Sequence, residues 1–383
     1  MEIPLVDVHA EFEPLIPRLE ACFREVLDSG QFIRGPHYWA FQKEAADFLG
    51  VARTIGVANG TDALVLALDA LEIGPGDEVI CPAFTFYATA EAIARRGAIP
   101  VFAEIDPVTL NLDPEDVARK VTPRTRAIMP VHLFGRPLPL EEIVALGLPV
   151  IEDSAQAFGA PGVGTLGTVA TYSFFPTKNL FCLGDGGLVA TGDEQLAERV
   201  QMLSFHGSRD KTDFDLVGYN SRLDEIQAGM LRIFLPELPG WNAGRREAAA
   251  RYAELGLGDL VEIPRDEPGH IYHLFVCRSP ERDRIRAALT EAGIGNAVYY
   301  TTPLHLQPAL RHLGYAPGSL PVTEEVAADN FSVPLWPGMP AEAQERVVDV
   351  VRSAVGSGVG STEPQSDGAG LAGAGAANTA AGA

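Results

Sequence analysis

Short apolar runs alternate with helix-like stretches between residues 54 and 191. The apolar runs, which predict β-strands, lie at residues 54–58, 78–81, 99–105, 127–133, 149–152, 170–175 and 187–191. Helical periodicity marks residues 62–71, 85–95 and 139–146. Several runs are apolar on successive residues, as in a sheet that is buried on both faces. This alternation predicts an α/β fold, a large three-layer domain with a mostly parallel central sheet, whose ligands bind at the carboxyl ends of the strands.

The pattern changes after residue 222, where it becomes helical to about residue 255, with interruptions near residues 236–240. The following segments predict a strand, a helix, a strand and a last helix, at residues 272–278, 281–292, 295–300 and 341–355. We therefore predict a large domain at residues 1–240, which includes an N-terminal helical segment, and a smaller C-terminal α/β domain at residues 241–355. Residues 356–383 contain eight Gly and eight Ala without an apolar face, and we predict a disordered tail there.

Composition limits the function classes. The chain has 29 Lys and Arg against 51 Asp and Glu, a net charge of −22, which argues against nucleic-acid binding but allows a locally basic pocket. The start of the chain lacks the pattern of a signal peptide, and acidic residues interrupt every long apolar stretch, so we predict no membrane association. The cysteines are widely spaced and form no CxxC pair, which indicates reduced thiols and a cytoplasmic protein; they are Cys22, Cys81, Cys182 and Cys277.

Residues 59–64 connect a predicted strand to a predicted helix. Gly60 permits a tight turn, and Thr61 and Asp62 would then present free amide groups at the helix amino terminus, where the dipole favours an anion such as a phosphate. The alternative is an ordinary N-cap, in which a side chain satisfies the first turn. The segment alone leaves both interpretations open.

The apolar strand that begins at residue 149 ends in two acids, Glu152 and Asp153. A carboxylate at this edge of the sheet could hold the ring nitrogen of a pyridine cofactor in its protonated form, which makes the ring an electron sink. Alternatively, Asp153 could cap the following helix. Glu152 and Asp153 are therefore candidates for chemistry as well as for structure.

Lys178 follows another apolar strand and precedes a glycine-rich turn at residues 184–187. Apolar surroundings lower the pKa of an amine and so favour its use as a nucleophile for a Schiff base, although most lysines are simply solvated. The segment GVGTLG at residues 162–167 matches a dinucleotide-binding pattern, but it leads into a strand instead of a helix, which predicts a turn. No metal-ligand or Ser-His-Asp spacing stands out, so we predict no metal site.

Five segments in this order resemble the nucleotide-sugar aminotransferases of the DegT/DnrJ/StrS type, a branch of the aspartate-aminotransferase-like, fold-type I pyridoxal phosphate enzymes. The segments are GTDAL at 60–64, PAFTF at 82–86, EDSAQ at 152–156, SFFPTKNL at 173–180 and NSRLDEIQA at 220–228. The resemblance extends from about residue 4 to about residue 355. It implies a pyridoxal 5′-phosphate cofactor and a homodimer whose active site is shared between the subunits.

The resemblance also implies roles for individual residues. Lys178 would be joined to the cofactor and would carry the proton between cofactor and substrate carbons, while Asp153 would pair with the pyridinium nitrogen. The other implied contacts are Gln156 near the ring hydroxyl, Phe86 stacked on the ring, Gly60, Thr61, the amide of Asp62 and Ser173 at the phosphate, and Asn220 at the phosphate of the partner subunit. Phe86 could instead be an ordinary core residue, and Asn220 an ordinary turn residue.

The reaction implied is transamination of a dTDP- or UDP-linked keto-sugar by an amino acid, with L-glutamate as the expected donor. The sugar carries a diphosphate, for which the candidate residues are Arg209, Lys211, Arg222 and His305; the first two could instead be solvated loop residues. The segments at 184–187 and 220–222 look more like those of members that aminate C3 than C4.

Two departures from the family pattern could alter substrate choice: the stretch between residues 160 and 170 is short, and Phe181 and Cys182 replace residues that are often small. Two alternatives use the same scaffold. A pyridoxal phosphate-dependent sugar dehydratase would replace the lysine with histidine or add an iron–sulfur partner. A non-catalytic regulatory protein would be expected to lose Lys178 or Asp153, and both are present.

Overall fold

The computed structural model describes residues 2–356. Its strands are β1 (Arg53–Val57), β2 (Glu78–Pro82), β3 (Ile99–Ala103), β4 (Thr125–Ile128), β5 (Ile151–Asp153), β6 (Val169–Ser173), β7 (Gly187–Thr191), β8 (Phe275–Arg278) and β9 (Asn330–Val333). Its α-helices are α1 (Val8–Phe12), α2 (Ile16–Ser29), α3 (Pro36–Leu49), α4 (Gly60–Ala70), α5 (Ala88–Arg95), α6 (Pro114–Lys120), α7 (Glu141–Val144), α8 (Glu194–Ser204), α9 (Glu225–Phe234), α10 (Leu238–Glu254), α11 (Arg282–Glu291), α12 (Pro321–Asp329) and α13 (Ala341–Gly356). Short 3₁₀ helices lie at Glu13–Leu15, Leu133–Gly135, Leu257–Asp259, Leu304–Leu306 and Pro308–Leu313.

The first seven strands form the central layer. One part has the order β3-β2-β4 and the other β5-β6-β7-β1. Two parallel bridges, Ile128 to Val150 and Val131 to Asp153, connect the two parts. β7 runs antiparallel to both of its neighbours, whereas the other strand pairs of this layer are parallel. The predicted α/β class with a mostly parallel sheet is therefore confirmed.

Helix α4 covers one face of the central sheet. Residues 63–68 of this helix are all buried, and the helix packs against β6 and β7. A helix that is apolar on every side is stable only inside a protein. Because α4 begins at Gly60, directly after β1, this packing also fixes the position of the glycine-containing turn.

The C-terminal part contains the antiparallel pair β8-β9, against which α11 packs. Helix α10 runs through residue 241, where we predicted the change of domain. Its first turns pack with the aromatic core around Phe181, whereas Ala248 and Tyr252 pack in the C-terminal core. The division at residues 240 and 241 stays a prediction. The predicted tail lies outside the described residues apart from Gly356, the last residue of α13.

The prediction of a strand at residues 295–300 is wrong. In this segment Ala297 forms one isolated bridge to Ser332, and the strand that pairs with β8 is β9, which the sequence pattern did not reveal. The backbone groups of the segment bond elsewhere, since the Gly295 amide donates to Ile3 and the Tyr299 amide donates to the Asn330 side chain. These contacts take the place of a regular strand ladder.

All four cysteines are buried and free, in agreement with their spacing in the sequence. Within residues 2–356, no helix combines the length and the apolar character that crossing a membrane requires.

Candidate active site

A cavity of about 360 Å³ lies where β5 and β6 end and α4 begins. We call it the central cavity, and its volume is typical of small-molecule sites. The predicted cofactor contacts in its wall are Gly60, Thr61, Asp62, Phe86, Asp153, Gln156, Ser173 and Lys178. Four separate stretches of chain supply these residues, and the turn after each strand brings them to the same edge of the sheet.

Asp153 is the last residue of β5 and is 4 % exposed. Its Oδ2 accepts a hydrogen bond of 2.8 Å from the hydroxyl of Thr89, and its Oδ1 accepts one of 3.3 Å from the Ala155 amide. Burial raises the pKa of Asp153, an effect that the Thr89 hydrogen bond and the nearby Lys178 oppose. A turn, not a helix, follows β5, so Asp153 is not a helix cap.

Lys178 lies in the turn after β6, where its backbone amide donates to the Phe175 carbonyl at 2.8 Å. Its side chain forms part of the cavity wall and retains some accessible surface. Burial lowers the pKa of Lys178 to about 8, although the carboxylate of Asp153 opposes this shift. An amine with this pKa holds or releases a proton near neutral pH, as nucleophilic and general base chemistry require.

The neighbouring acid, Glu152, lies on the other face of β5, because successive side chains of a strand point to opposite faces. It is fully buried, and its carboxylate is bonded to His132 Nε2 at 2.9 Å and accepts the amides of Gly164 and Gly167 at 2.6 Å each. Burial alone would raise its pKa, but these hydrogen bonds hold the pKa of Glu152 below its ordinary value. The segment at 162–167, predicted to be a turn, thus anchors this carboxylate.

The amino terminus of α4 requires a correction. Asn59 is the N-cap, and its Oδ1 accepts the Asp62 amide at 2.8 Å, so this amide is not free as we predicted. The predicted anion would therefore bind the amides of Gly60 and Thr61, which precede the capped position. A Cβ atom on Gly60 would lie 2.7 Å from Ser173 Cβ, so only glycine allows the helix to begin this close to β6.

Gln156 and Phe86 form a further part of the wall. Gln156 Oε1 accepts the Phe134 amide at 2.7 Å, and its Nε2 donates to the hydroxyl of Tyr300 at 3.1 Å, which fixes the orientation of the side-chain amide. The Phe86 ring is 40 % exposed and lies 6.3 Å from the Tyr300 ring. The cavity therefore contains an accessible aromatic face on which a planar ligand could stack.

Asn220 lies in the wall of a different cavity, of about 610 Å³, together with Arg222. We call this the outer cavity; it shares Asn59 and Asp185 with the central cavity. Within one chain, Asn220 is therefore next to the central cavity and not part of its wall. The Arg222 guanidinium donates to the side-chain oxygen of Asn220, so the two side chains are in direct contact.

Three cationic side chains surround the ring of Phe205. Arg34 lies 4.2 Å, Lys211 4.8 Å and Arg222 5.6 Å from the ring centroid, and each is within cation–π distance. In a chain of net charge −22, this cluster is a local concentration of positive charge. It brings together two of the predicted diphosphate contacts, Lys211 and Arg222, and adds Arg34.

The other two candidates lie elsewhere. Arg209 forms an exposed ion pair with Asp215 at 3.0 Å. His305 is buried, with its Nε2 3.0 Å from the carboxylate of Glu324. Neither residue is in the wall of the central or the outer cavity.

Sequence reasoning missed Thr89, which binds the Asp153 carboxylate, and Thr85, whose hydroxyl is 3.2 Å from that of Thr89. The two threonines are four residues apart within a predicted helix, so a shared face was the available signal. It also missed Arg34, for which the sequence offers no local signal. Among residues 2–356, no group of His, Cys, Asp or Glu side chains is arranged to hold a metal ion.

The residues present fit pyridoxal 5′-phosphate. Lys178 and Asp153 supply an amine and a carboxylate in the wall of one cavity, as the aldehyde and the ring nitrogen of the cofactor require. The start of α4 supplies amides for a phosphate, and the cleft between Gly60 and Ser173 would be filled by any side chain at position 60. Phe86 supplies an exposed ring for stacking.

Comparison with known proteins supports this assignment. The model of the DegT/DnrJ/EryC1/StrS aminotransferase family matches residues 17–352. A Geobacillus stearothermophilus protein named pleiotropic regulatory protein is 46 % identical over 364 residues, which cover 92 % of this chain and 98 % of the relative. A UDP-N-acetyl-3-dehydro-α-D-glucosamine 3-aminotransferase from Acidithiobacillus ferrooxidans is 44 % identical and covers 91 % of this chain and 97 % of its own length.

A third relative, the dTDP-3-amino-3,4,6-trideoxy-α-D-glucose transaminase of Streptomyces venezuelae, is 42 % identical over 91 % of this chain and 95 % of its own. The crystal structure of S. venezuelae DesV has the same fold, with a TM-score of 0.89 and 42 % identity over 92 % of this chain and 98 % of that one.

Proposed function

This chain belongs to the DegT/DnrJ/EryC1/StrS aminotransferase family, and on that premise we propose that it transfers an amino group to the C3 keto group of a dTDP- or UDP-linked sugar. The expected donor is an amino acid, L-glutamate in the first place. Two relatives, one named a UDP-sugar 3-aminotransferase and one a dTDP-3-amino-sugar transaminase, support the nucleotide-sugar substrate and the C3 position. The enzyme depends on pyridoxal 5′-phosphate, as its family does.

The observation that carries the proposal is the position of Lys178 and Asp153 in one cavity wall at the carboxyl edge of the sheet. When bound, pyridoxal phosphate supplies an electron sink that stabilises a carbanion on the substrate. Asp153, held by Thr89, fixes a negative charge in a buried position and so favours a protonated ring nitrogen opposite it. Lys178, with a pKa of about 8, holds or moves a proton at its Nζ.

We propose that Gly60, Thr61 and Ser173 bind the cofactor phosphate and that Phe86 stacks on the ring. Gln156 would lie near the ring hydroxyl, since its amide is fixed at the cavity wall by Phe134 and Tyr300. The role of the Asp62 amide, which already bonds Asn59, is limited to ordering the turn.

We propose a homodimer in which Asn220 completes the site of the partner subunit. Asn220 lies in the outer cavity, next to its own central cavity, and a second chain would let it reach a phosphate there. Five large apolar side chains are exposed between residues 23 and 39: Phe23, Leu27, Phe32, Ile33 and Trp39. Exposed apolar patches often mark protein–protein interfaces, so these side chains are the candidates for the dimer contact.

The cationic cluster around Phe205 is the proposed site of the sugar diphosphate. Lys211 and Arg222 were candidates from the sequence, and Arg34 joins them at the same ring. Arg34 Nε and Arg222 Nη1 are buried without a hydrogen-bond partner among the described residues. An anion would satisfy both groups and offset the repulsion between the guanidinium groups.

We also propose a cytoplasmic location, which four buried, free cysteines support because such thiols persist in a reducing compartment.

A second candidate function is regulation without turnover. The name of the Geobacillus stearothermophilus relative, 46 % identical, favours it. A protein that no longer catalysed the reaction would have no need of an amine with a pKa of about 8 beside a buried carboxylate, and this chain retains both in one cavity. The sugar dehydratase that replaces the lysine is disfavoured by the same observation, and the one that uses an iron–sulfur partner is disfavoured because residues 2–356 contain no cluster of cysteines.

The experiment uses purified protein loaded with pyridoxal phosphate. We expect a visible absorption band that borohydride reduction abolishes, and a shift to the pyridoxamine spectrum on addition of L-glutamate. Incubation of the pyridoxamine form with a panel of dTDP- and UDP-linked 3-keto and 4-keto sugars should then give an aminated product by mass spectrometry. If none of the amino acids tested shifts the spectrum, or if none of the sugars is converted to an aminated product, the result would contradict the proposal and favour regulation.

A further inference from the structure

A second cavity, of about 240 Å³, adjoins the central cavity and shares Phe86, Gln156 and Lys178 with it. We call it the inner cavity. The rest of its wall comes from the start of the chain, from Thr177 and from the C-terminal part; these residues are Leu5, Val6, Thr177, His273, Leu274, Tyr299 and Tyr300. Any molecule in this cavity would therefore meet the reacting amine.

The chemistry of this wall is unusual. It contains no carboxylate, and its cationic group is Lys178, which the cofactor engages. The other polar groups are a hydroxyl, a side-chain amide, an imidazole and two phenols. Burial raises the pKa of Tyr299 and of Tyr300, so both phenols stay neutral and can donate hydrogen bonds. Neutral polar groups between aromatic faces suit a ligand with hydroxyl groups.

His273 has a buried ring nitrogen that lacks a hydrogen-bond partner among the described residues. Its backbone amide donates to the Phe134 carbonyl at 2.8 Å, which fixes its position, and the residue is 4 % exposed. The ring nitrogen without a partner among the described residues is Nδ1. Burial, together with the nearby charges of Lys178 and Arg245, holds the pKa of His273 well below its ordinary value, so the ring is neutral. A buried polar atom without a partner costs stability, so a ligand that supplies the partner is expected to bind there.

We infer that the inner cavity receives the ring of the keto-sugar and that His273 hydrogen-bonds one of its hydroxyl groups. This inference rests on the proposed function. Glutamate has two carboxylates and would need cationic partners, which the wall does not offer apart from Lys178. A sugar ring pairs its hydroxyl groups with neutral donors and acceptors, and its apolar faces pack against Tyr299 and Tyr300.

The test separates the sugar from the nucleotide. Calorimetry on the cofactor-loaded enzyme would measure the affinities for dTDP and dTDP-glucose and for UDP and UDP-glucose. For the nucleotide that binds, the affinity for the sugar-linked ligand divided by the affinity for the nucleotide alone reports the contribution of the sugar ring. We expect a clear preference for the sugar-linked ligand in the wild type. His273→Phe should lower that ratio about tenfold or more, because the phenyl ring fills the space of the imidazole but has no polar atom to bond a sugar hydroxyl. Affinity for the nucleotide alone should not change.

Three variants sharpen the test. His273→Asn keeps a polar atom near the position of Nδ1 and should restore part of the ratio. His270→Asn changes another buried histidine of the same loop, in the wall of a different cavity, and should leave the ratio unaltered. Thr177→Val removes a hydroxyl from the inner cavity at nearly constant shape and should lower the ratio, which keeps the inference testable if His273→Phe does not fold.

The spectral shift with glutamate provides a second readout. We expect His273→Phe to leave the rate of that shift close to the wild-type rate while the reaction with the keto-sugar slows. An unchanged affinity ratio in His273→Phe and Thr177→Val, or equal losses with glutamate and with the sugar, would overturn the inference. A wild-type enzyme that aminates no keto-sugar contradicts the proposed function, whereas normal wild-type turnover with unchanged ratios contradicts this inference alone.

Discussion

Glu152 and Asp153 are adjacent in β5 and almost completely buried, yet they lie in regions of opposite character. The region around Glu152 is saturated: a histidine and two backbone amides bond the carboxylate and hold its pKa below the ordinary value. The Asp153 carboxylate has fewer hydrogen bonds. Asp153 lines a cavity together with Lys178, and burial raises the pKa of Asp153.

The difference shows how one strand serves stability on one face and chemistry on the other. A buried carboxylate is stable when hydrogen bonds replace its hydration. Glu152 obtains those bonds within the protein. Asp153 obtains fewer of them, and the remaining capacity is available to a ligand. Variants of these two residues and of their neighbours test whether the two carboxylates differ in this way.

The largest effect is expected from Lys178→Ala. Removal of the amine should lower kcat/KM by at least about 10⁴-fold, since one group serves as both nucleophile and base. Product formation by chromatography gives the rate, and thermal melting should show a folded protein. Lys43→Ala changes an exposed lysine of α3 and should leave the rate unchanged. A Lys178→Ala rate within tenfold of the wild type would place the reacting amine elsewhere.

Asp153→Asn should lower kcat/KM by about 10²–10³-fold, because the fixed negative charge opposite the ring nitrogen is lost. The amide has nearly the same shape: its oxygen can accept the Ala155 amide, and its NH2 group can donate to the Thr89 hydroxyl, which can in turn donate to Thr85, so the melting temperature should not fall. Steady-state kinetics and melting are measured on the same samples. Loss of stability without loss of rate would mean that Asp153, like Glu152, contributes to stability and not to catalysis.

Glu152→Gln should lower stability and leave the catalytic rate almost unchanged, the reverse of Asp153→Asn. The amide can keep one of the two glycine hydrogen bonds but places an NH2 group against the other, so we expect the free energy of unfolding to fall by about 2–3 kcal/mol with little change in kcat. Urea denaturation measures this, with the exposed Glu142→Gln as control.

The pH dependence of Glu152 has a definite sign. Its pKa is lowered on folding, so its contribution to stability is full above the ordinary value of 4.5 and is lost as the pH falls through the lower folded pKa. Glu152→Gln should therefore flatten the acid limb of the stability profile. An unchanged acid limb would mean that the buried carboxylate does not titrate as described.

A smaller effect concerns the pH at which the apoenzyme takes up pyridoxal phosphate. Only the neutral amine of Lys178 reacts, so the rate should rise about tenfold per pH unit below the pKa of about 8 and level off above it. Stopped-flow absorbance measures the rate. Asp153→Asn should move the midpoint to lower pH, whereas Glu152→Gln should not. A midpoint near the ordinary lysine value of 10.5 would contradict the assigned environment.

The smallest effect is expected from Thr89→Val, which removes the hydroxyl that donates to Asp153. We expect a loss of about tenfold or less in kcat/KM, because one hydrogen bond to the carboxylate is removed and its pKa rises further. Thr191→Val removes a buried hydroxyl at the end of β7, which donates to Thr168, and should leave kcat/KM unchanged. Equal effects of the two variants would mean that Thr89 does not orient Asp153.

Much of the fold follows from the sequence pattern. The strand at residues 187–191 has its predicted bounds, and the helix predicted at 62–71 begins two residues earlier, at Gly60, because Asn59 supplies the cap. The prediction of a strand at residues 295–300 failed because the backbone amides of this segment donate to the N-terminal segment and to a side chain instead of a neighbouring strand. Local pattern reports which residues are apolar, not which partner a backbone group will find.

The chemistry of the candidate site divides in the same way. Lys178 and Asp153 follow apolar strands of one sheet, and that placement is a property of the sequence. The choice of Asp153 over Glu152 depends on the register of β5, because a shift of one residue exchanges the two faces. His305 was predicted to face the sugar diphosphate but lies against Glu324, whereas the prediction that Asn220 reaches the phosphate of the partner subunit stays a prediction, with Asn220 in the outer cavity of its own chain.

The residue pattern alone specifies the alternation of strands and helices, the negative net charge and the amine and acid at the strand ends, because these depend on composition or on residues a few positions apart. Only the packing of strands and helices against one another determines that Thr89 donates to Asp153, 64 residues away in the chain, and that His273 and Lys178 line one cavity. Such contacts depend on how distant elements pack, and packing is a property of the whole chain that no local spacing specifies.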